Sequence, residues 1–186
     1  MSTTPPTTPA TSSLPQAEPG PSVDDLARRW ARELPDLDLG PFLVAGTLQR
    51  LALHVDRGFS AISRSYGMGT GDLRILLALR RSGPAYALSP TTLFRQLLVT
   101  SGAVSKQVDR LADLGMVERV ADPAQLRGVL IRLLPRGREV ADDAMRRIST
   151  SFCSLESLSE EDIASALAAL STLRRAMEGD SANEPE

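Results

Sequence analysis

The sequence predicts a mainly α-helical protein with one small β-hairpin. Three observations carry this. Apolar residues recur at spacings of three and four along most of the chain, the period falls to two within 116–133, and aromatics make up only 4% of the 186 residues. The core must therefore be built from Leu, Val, Ile and Ala, and a chain of this length is able to bury one.

Residues 1–22 hold Thr, Pro, Ser and Gly with almost no apolar side chains, too few to offset the entropy of ordering them, so a disordered arm is expected. A short helix is expected from Asp24 to about Glu33, broken by the Pro-Asp-Leu-Asp-Leu-Gly-Pro stretch at 35–41. A long helix follows, with a seam of Val44, Leu48, Leu51, Val55, Phe59, Ile62 and Tyr66 of coiled-coil type. Gly67 and Gly69 end it, and a second helix runs from Thr70 through Leu73, Leu76, Leu77 and Leu79 to Arg81. Ser89 offers an N-cap, with Pro90 at the first helical position of a short helix to about Leu98. After a Leu98-Val99-Thr100 turn, a helix capped by Thr100 or Ser101 buries Val104, Val108 and Leu111 and ends at Gly115, which suits a left-handed cap.

Met116–Val120 and Val129–Leu133 read as strands joined by the turn-rich loop 121–128. From about Pro135 helices return. Val140, Ala144, Ile148, Phe152 and Leu155 form one stripe; Ile163, Leu167, Leu170, Leu173 and Met177 form another, opened by Ser159-Glu-Glu-Asp162 in the manner of a capping box. The expected organisation is an arm at 1–22, N-terminal helices at 23–67, a helix-rich domain with the hairpin at 68–135, C-terminal helices at 136–178 and a flexible tail at 179–186.

Composition excludes several functions. One cysteine, Cys153, forbids an intrachain disulfide framework, and one histidine, His54, leaves too few ligands for a Cys/His zinc site. A Ser-His-Asp or Cys-His enzyme would have His54 as its only imidazole base, so no enzyme and no cofactor are expected. No apolar run approaches the roughly 18 residues of a membrane helix, and the chain opens without a basic-then-apolar signal, so a cytoplasmic protein without membrane contact is expected.

The net charge of −2 conceals a partition. Residues 68–140 carry 11 basic and 6 acidic groups, whereas 141–186 carry 4 and 10. Positive charge in the middle of the chain suits contact with a polyanion. Three helices followed by a hairpin in this block is the winged helix-turn-helix order, in which the third helix enters the major groove and the hairpin lies beside it. With Val104, Val108 and Leu111 buried, Ser101, Gly102, Ser105, Lys106, Asp109 and Arg110 face solvent or DNA; Lys106 is the only lysine. Ser101, Gly102, Ser105, Lys106, Gln107 and Arg110 are the expected DNA contacts of the helix, and Arg119 and Arg127 those of the hairpin.

Residues 72–140, and above all TSGAVSKQVDRL followed by GMVER and RGVLIRL, closely resemble the MarR family of bacterial transcription regulators. The resemblance extends over about 24–178. It implies a homodimer joined through its N- and C-terminal helices, two winged domains on a pseudo-palindromic operator in double-stranded DNA, and regulation, often repression, relieved by a small anionic or aromatic effector. The wing departs from the family pattern: Gln125, Leu126 and Arg127 stand where an Asp and two Arg are usual, and Leu134 replaces a Thr. Trp30 ahead of Pro-Asp-Leu-Asp further resembles the urate-responsive branch, whose remaining ligand positions correspond here to Arg74, Gln107 and Arg119. Only Trp30 and Arg119 match, so the resemblance implies an effector cleft at Trp30, Arg74 and Arg119 but not urate itself. An alternative function is a winged-helix interaction module with weakened or lost DNA binding, motivated by the altered wing and by Asp109 and Asp113 on the reading helix.

Overall fold

The computed structural model describes residues 21–97 and 101–179. The expected arm up to residue 20, the turn at 98–100 and the tail beyond 179 lie outside the described residues. The chain divides into two compact units, 1–51 and 52–186.

In the first unit, α1 (Val23–Glu33) is opened by Ser22, whose hydroxyl accepts the Asp25 N–H at 3.0 Å while the Asp25 carboxylate accepts the Ser22 N–H at 3.2 Å. The Ser22 hydroxyl also donates to the Asp25 carboxylate at 2.8 Å, and that bond, with the one from the Ser22 N–H, holds the Asp25 carboxyl below its ordinary range. Gly46 lets the following helix, α2 (Gly40–Ser65), approach α1: a Cβ there would lie 2.9 Å from Val23. Ala27 is buried, but Trp30, Leu34, Leu37 and Phe42 are exposed.

In the second unit, α3 (Thr70–Arg81) is the central element, with Leu73, Ile75, Leu76, Ala78 and Leu79 wholly buried. It packs against α4 (Pro90–Leu97), α5 (Ser101–Asp113) and α6 (Pro135–Ser151). The core is completed by Leu93, Val104, Val108, Leu111, Val117, Ile131, Ala141 and Ala144. A three-stranded antiparallel sheet has the order β1-β3-β2, from β1 (Ala87–Leu88), β2 (Val117–Ala121) and β3 (Val129–Leu133). The hairpin register places Val117 opposite Leu133 and Arg119 opposite Ile131. A 3-10 turn (Leu155–Ser157) leads to α7 (Glu160–Glu178).

Three sequence expectations need correction. The first hairpin strand runs from Val117 to Ala121 rather than from Met116 to Val120, and a two-residue strand, β1, adds to the expected hairpin by pairing with β3. Leu155 does not continue the α6 stripe: the left-handed backbone at Cys153 (φ 55°) and Ser154 (φ 60°) stops the helix, and Leu155 is exposed. The α2 seam is core only at its end. Ile62 is buried and Phe59 and Tyr66 pack on the core, whereas Val44, Leu51 and Val55 remain exposed within the protomer. α7 has no buried residue at all. Among the described residues, no helix is long and apolar enough to cross a membrane.

Charge and aromatic contacts lock α6 to the winged part. Tyr86, itself left-handed (φ 47°), has the guanidinium of Arg80 at 5.0 Å and that of Arg138 at 5.1 Å from its ring centre. Arg80 Nε donates to Asp142 at 2.6 Å, and that hydrogen bond, with the positive charges of Arg80, Arg138 and Arg146, holds the Asp142 carboxyl below its ordinary range. A carboxylate whose pKa is depressed by folding stabilises the fold above its unfolded pKa, and that contribution is lost as pH falls through the folded value. Thermal stability is therefore expected to fall as the pH is lowered below the ordinary carboxylate value of 3.8, with a shallower fall in Asp142→Asn, as read by melts across the acid range.

Candidate nucleic-acid interface

The candidate interface begins with α4 and α5. Ser89 caps α4 by accepting the Thr92 N–H at 3.1 Å. Leu93 of α4 is buried, as are Val104, Val108 and Leu111 of α5. That leaves Gly102, Ser105, Lys106, Asp109 and Arg110 on the exposed side of α5. Ser101 is its first residue. Gly115 (φ 64°) ends the α5 segment and turns the chain into β2.

The side chain of Ser101 lies outside what the structure describes; the other predicted contact residues fall into three groups. Gly102, Ser105, Lys106 and Arg127 are exposed, and a Cβ at Gly102 would meet nothing within 4 Å. Neither Lys106 nor Arg127 has an ion-pair partner among the described residues. Arg110 and Arg119 carry carboxylate partners. Arg110 donates from Nε and Nη2 to Asp72 at 2.8 and 2.6 Å, and Arg119 pairs with Asp109 at 2.7 Å. The Asp72 bond raises the Arg110 pKa above its ordinary value. Gln107 differs from expectation by turning inward onto α3. A Cβ at Gly71 would lie 2.0 Å from its side-chain amide nitrogen, and its carbonyl oxygen is buried with no hydrogen-bond partner among the described residues. The α3–α5 packing selects this rotamer because Gly71 leaves a notch the amide fills.

Sequence reasoning missed Asp72. It is wholly buried in the first turn of α3, where its Oδ2 also accepts the Gly69 N–H at 2.9 Å. Its position three residues after Gly69 carried the capping signal, but the pairing with a helix 38 residues later has no local trace.

The wing loop is held by its own backbone and by Asp122. The Asp122 N–H donates to Gly128 at 2.9 Å, the Gln125 N–H donates to the Asp122 carbonyl at 3.2 Å, and Asp122 Oδ1 accepts the Ala124 N–H at 2.9 Å. Asp122 thus holds the loop itself, and Arg127 takes no part in those bonds. Arg132 and Glu118 pair across the hairpin at 2.7 Å, and Arg136 donates to the Leu114 carbonyl at 3.0 Å, tying α6 to the end of α5.

The three residues expected to line an effector cleft have different surroundings. Trp30 is exposed on α1 of the first unit, above a shallow depression with Leu26, Arg29 and Glu33. In the second unit, Arg74 pairs with Asp56 at 2.7 Å, lies 5.3 Å from the Phe59 ring centre and lines a cleft of about 260 Å³ with Leu77, Arg81, Gln96 and Leu97. Arg119 does not line that cleft; its pairing with Asp109 holds it between β2 and α5.

Residues 66–128 match the family model described as MarR family. The HTH-type transcriptional regulator PecS of Dickeya dadantii is 35% identical over 115 residues, covering 62% of this chain and 69% of PecS. The chain belongs to the MarR family. The multiple antibiotic resistance protein MarR of Salmonella typhimurium is 32% identical over 74 residues, 40% of this chain and 49% of that protein. Among solved structures, the MarR-family regulator Sco5413 of Streptomyces coelicolor superposes with a TM-score of 0.62 at 25% identity, covering 76% of this chain and 98% of Sco5413. A mutant Escherichia coli MarR complexed with operator DNA gives 0.59 at 21% identity, covering 77% and 96%. This MarR-family chain is a transcriptional regulator with the winged-helix fold, and not an enzyme.

Proposed function

We propose that the chain is a homodimeric repressor that binds a pseudo-palindromic operator through α5 and the wing. The observation that carries this reading is the exposed α5 face of Gly102, Ser105 and Lys106, with Lys106 on the helix and Arg127 on the wing free of ion-pair partners among the described residues. Small residues at the start of α5 let its amides approach a phosphate, and Ser101 belongs to the same turn. Ser105, Lys106, Arg110 and Arg119 are the base or phosphate contacts of each half-site, the last two in carboxylate-paired form. Gln107 is dropped from the contact set because its amide fills the Gly71 notch.

Dimerisation is supported by apolar surface that the protomer leaves uncovered. In α7, Ile163, Leu167, Leu170 and Met177 are all exposed, as are Leu155 and Leu158 before it. A helix of this kind is stabilised by packing its apolar stripe on another chain, and isologous pairing is the common solution. Release by an effector is a population shift: the ligand favours a separation of the two reading helices that does not fit successive major grooves, about 34 Å apart. The Arg74 cleft, with Arg81 beside it and Phe59 and Leu77 as apolar walls, suits a small aromatic anion.

The experiment is fluorescence anisotropy on DNA from immediately upstream of the protein's own gene, against a scrambled duplex, at several salt concentrations. Preference for the native duplex with a steep salt dependence supports the reading. Lys106→Ala removes one contact from each half-site and is expected to weaken binding about tenfold and to lower the salt slope by about 1.8. A second reading, a winged-helix interaction module, draws on Leu126 in the wing and on the carboxylates already facing Arg110 and Arg119. It predicts no binding to either duplex even at low salt.

A further inference from the structure

An arginine side chain has five N–H donors in a planar fork. Arg110 uses two of them, one on Nε and one on Nη2, on the side-on edge that meets Asp72. The remaining Nη2 hydrogen and one of the two on Nη1 form the end-on edge, which matches two phosphate oxygens or the O6 and N7 acceptors of guanine. The Arg110 side chain keeps 45% of its surface exposed, whereas that of Asp72 keeps none. Lys106 lies one turn earlier on the same side of α5 and is exposed. Asp72 is itself fixed, by the Gly69 N–H and by the buried Leu73, Ile75 and Leu76 that follow it on α3.

We propose that Asp72 is a positioning residue for DNA recognition: from the core, it holds Arg110 side-on so that the end-on edge of the guanidinium is presented to a phosphate or a guanine. The inference rests on α5 being the DNA-reading helix. An unbraced arginine loses rotamer freedom when it binds, and that loss subtracts from affinity. Here the freedom is already lost in folding, so α3 contributes to operator affinity without touching DNA. Gln107, one turn of α5 nearer its start, is withdrawn from the surface by the same end of α3, which leaves Arg110 and Lys106 as the long donors on that side.

The test is a double-mutant cycle in the full-length protein, read by anisotropy on the native and scrambled duplexes. Asp72→Asn keeps the volume and an acceptor for Gly69, and is expected to weaken operator binding about tenfold. In the Arg110→Gln background the same substitution is expected to have no further effect, because nothing remains to position. Weakening confined to the native duplex identifies a base contact; equal weakening on both identifies a phosphate. Unchanged affinity in Asp72→Asn, or an equal loss in both backgrounds, overturns the proposal. Should the double variant not fold, the Arg110 Nε–H resonance decides: it is expected to exchange slowly in the free wild type and rapidly in Asp72→Asn, and rapid exchange in the wild type overturns the proposal. Wild-type protein that binds neither duplex overturns the assignment of α5 and this inference with it.

Discussion

Replacing Gly137 with alanine is expected to destabilise the fold by about 3 kcal/mol, measured by chemical denaturation. Gly137 is buried in the first turn of α6, and a Cβ there would lie 2.3 Å from the Met116 carbonyl oxygen and 2.8 Å from Leu133 Cδ1. The first obstacle is backbone, and it is already engaged: that carbonyl accepts the Leu134 N–H at 2.9 Å. Making room for one methyl group therefore means breaking this bond or moving the hairpin away from α6. Met116 directly follows Gly115, so any shift also reaches the end of α5 and, with α5 as the proposed reading helix, is expected to weaken operator binding. Gly102→Ala is the control. A Cβ there meets open space, and because glycine inside a helix is less stable than alanine by roughly 0.5–1 kcal/mol, this variant should be slightly more stable than the wild type.

Truncating the chain after Leu158 is expected to leave a folded protomer that no longer pairs. None of the residues of α7 is buried, so the core loses nothing, and cooperative unfolding should persist. The exposed stripe of Ile163, Leu167, Leu170 and Met177 is removed with the helix. Sedimentation should give one chain's mass for the truncated protein and twice one chain's mass for the full-length protein. In the proposed dimer two tethered reading helices engage successive half-sites as one ligand, so the truncated chain should bind the operator 10² to 10⁴ times more weakly, on the order of the usual gain from bivalency. A full-length protein that sediments as a single chain would refute the dimer.

Much of the fold is legible in the sequence because its determinants are local. Periods of 3.6 and 2 separate helices from hairpin, and Ser89, Ser159 and Gly115 act as caps within their own turns: the Ser159 hydroxyl accepts the Asp162 N–H at 3.1 Å as its spacing predicts. β1 is not legible, since two residues have no period and exist as a strand only by pairing with Arg132 and Ile131. The exposed start of the α2 seam illustrates a different limit: an apolar stripe says that something covers it, not what. At the candidate interface, the exposed face of α5 follows from its buried one, but the side-chain partners do not. Asp72 with Arg110, Gln107 in the Gly71 notch and Asp109 with Arg119 are set by how two helices or a helix and a strand meet, information spread over the whole core.

The wing separates two properties that in many loops depend on the same side chains. Its path is set by Asp122 and by backbone bonds to Gln125 and Gly128, while Leu126 is fully solvated and Arg127 is exposed. The tip can therefore accumulate or shed positive charge by substitution at 126 and 127 while its conformation, and the stability of the domain, stay where they are. If the wing contacts DNA as proposed, this makes it a dial: substitutions at two positions are expected to change binding strength without rebuilding α5, the proposed reading helix.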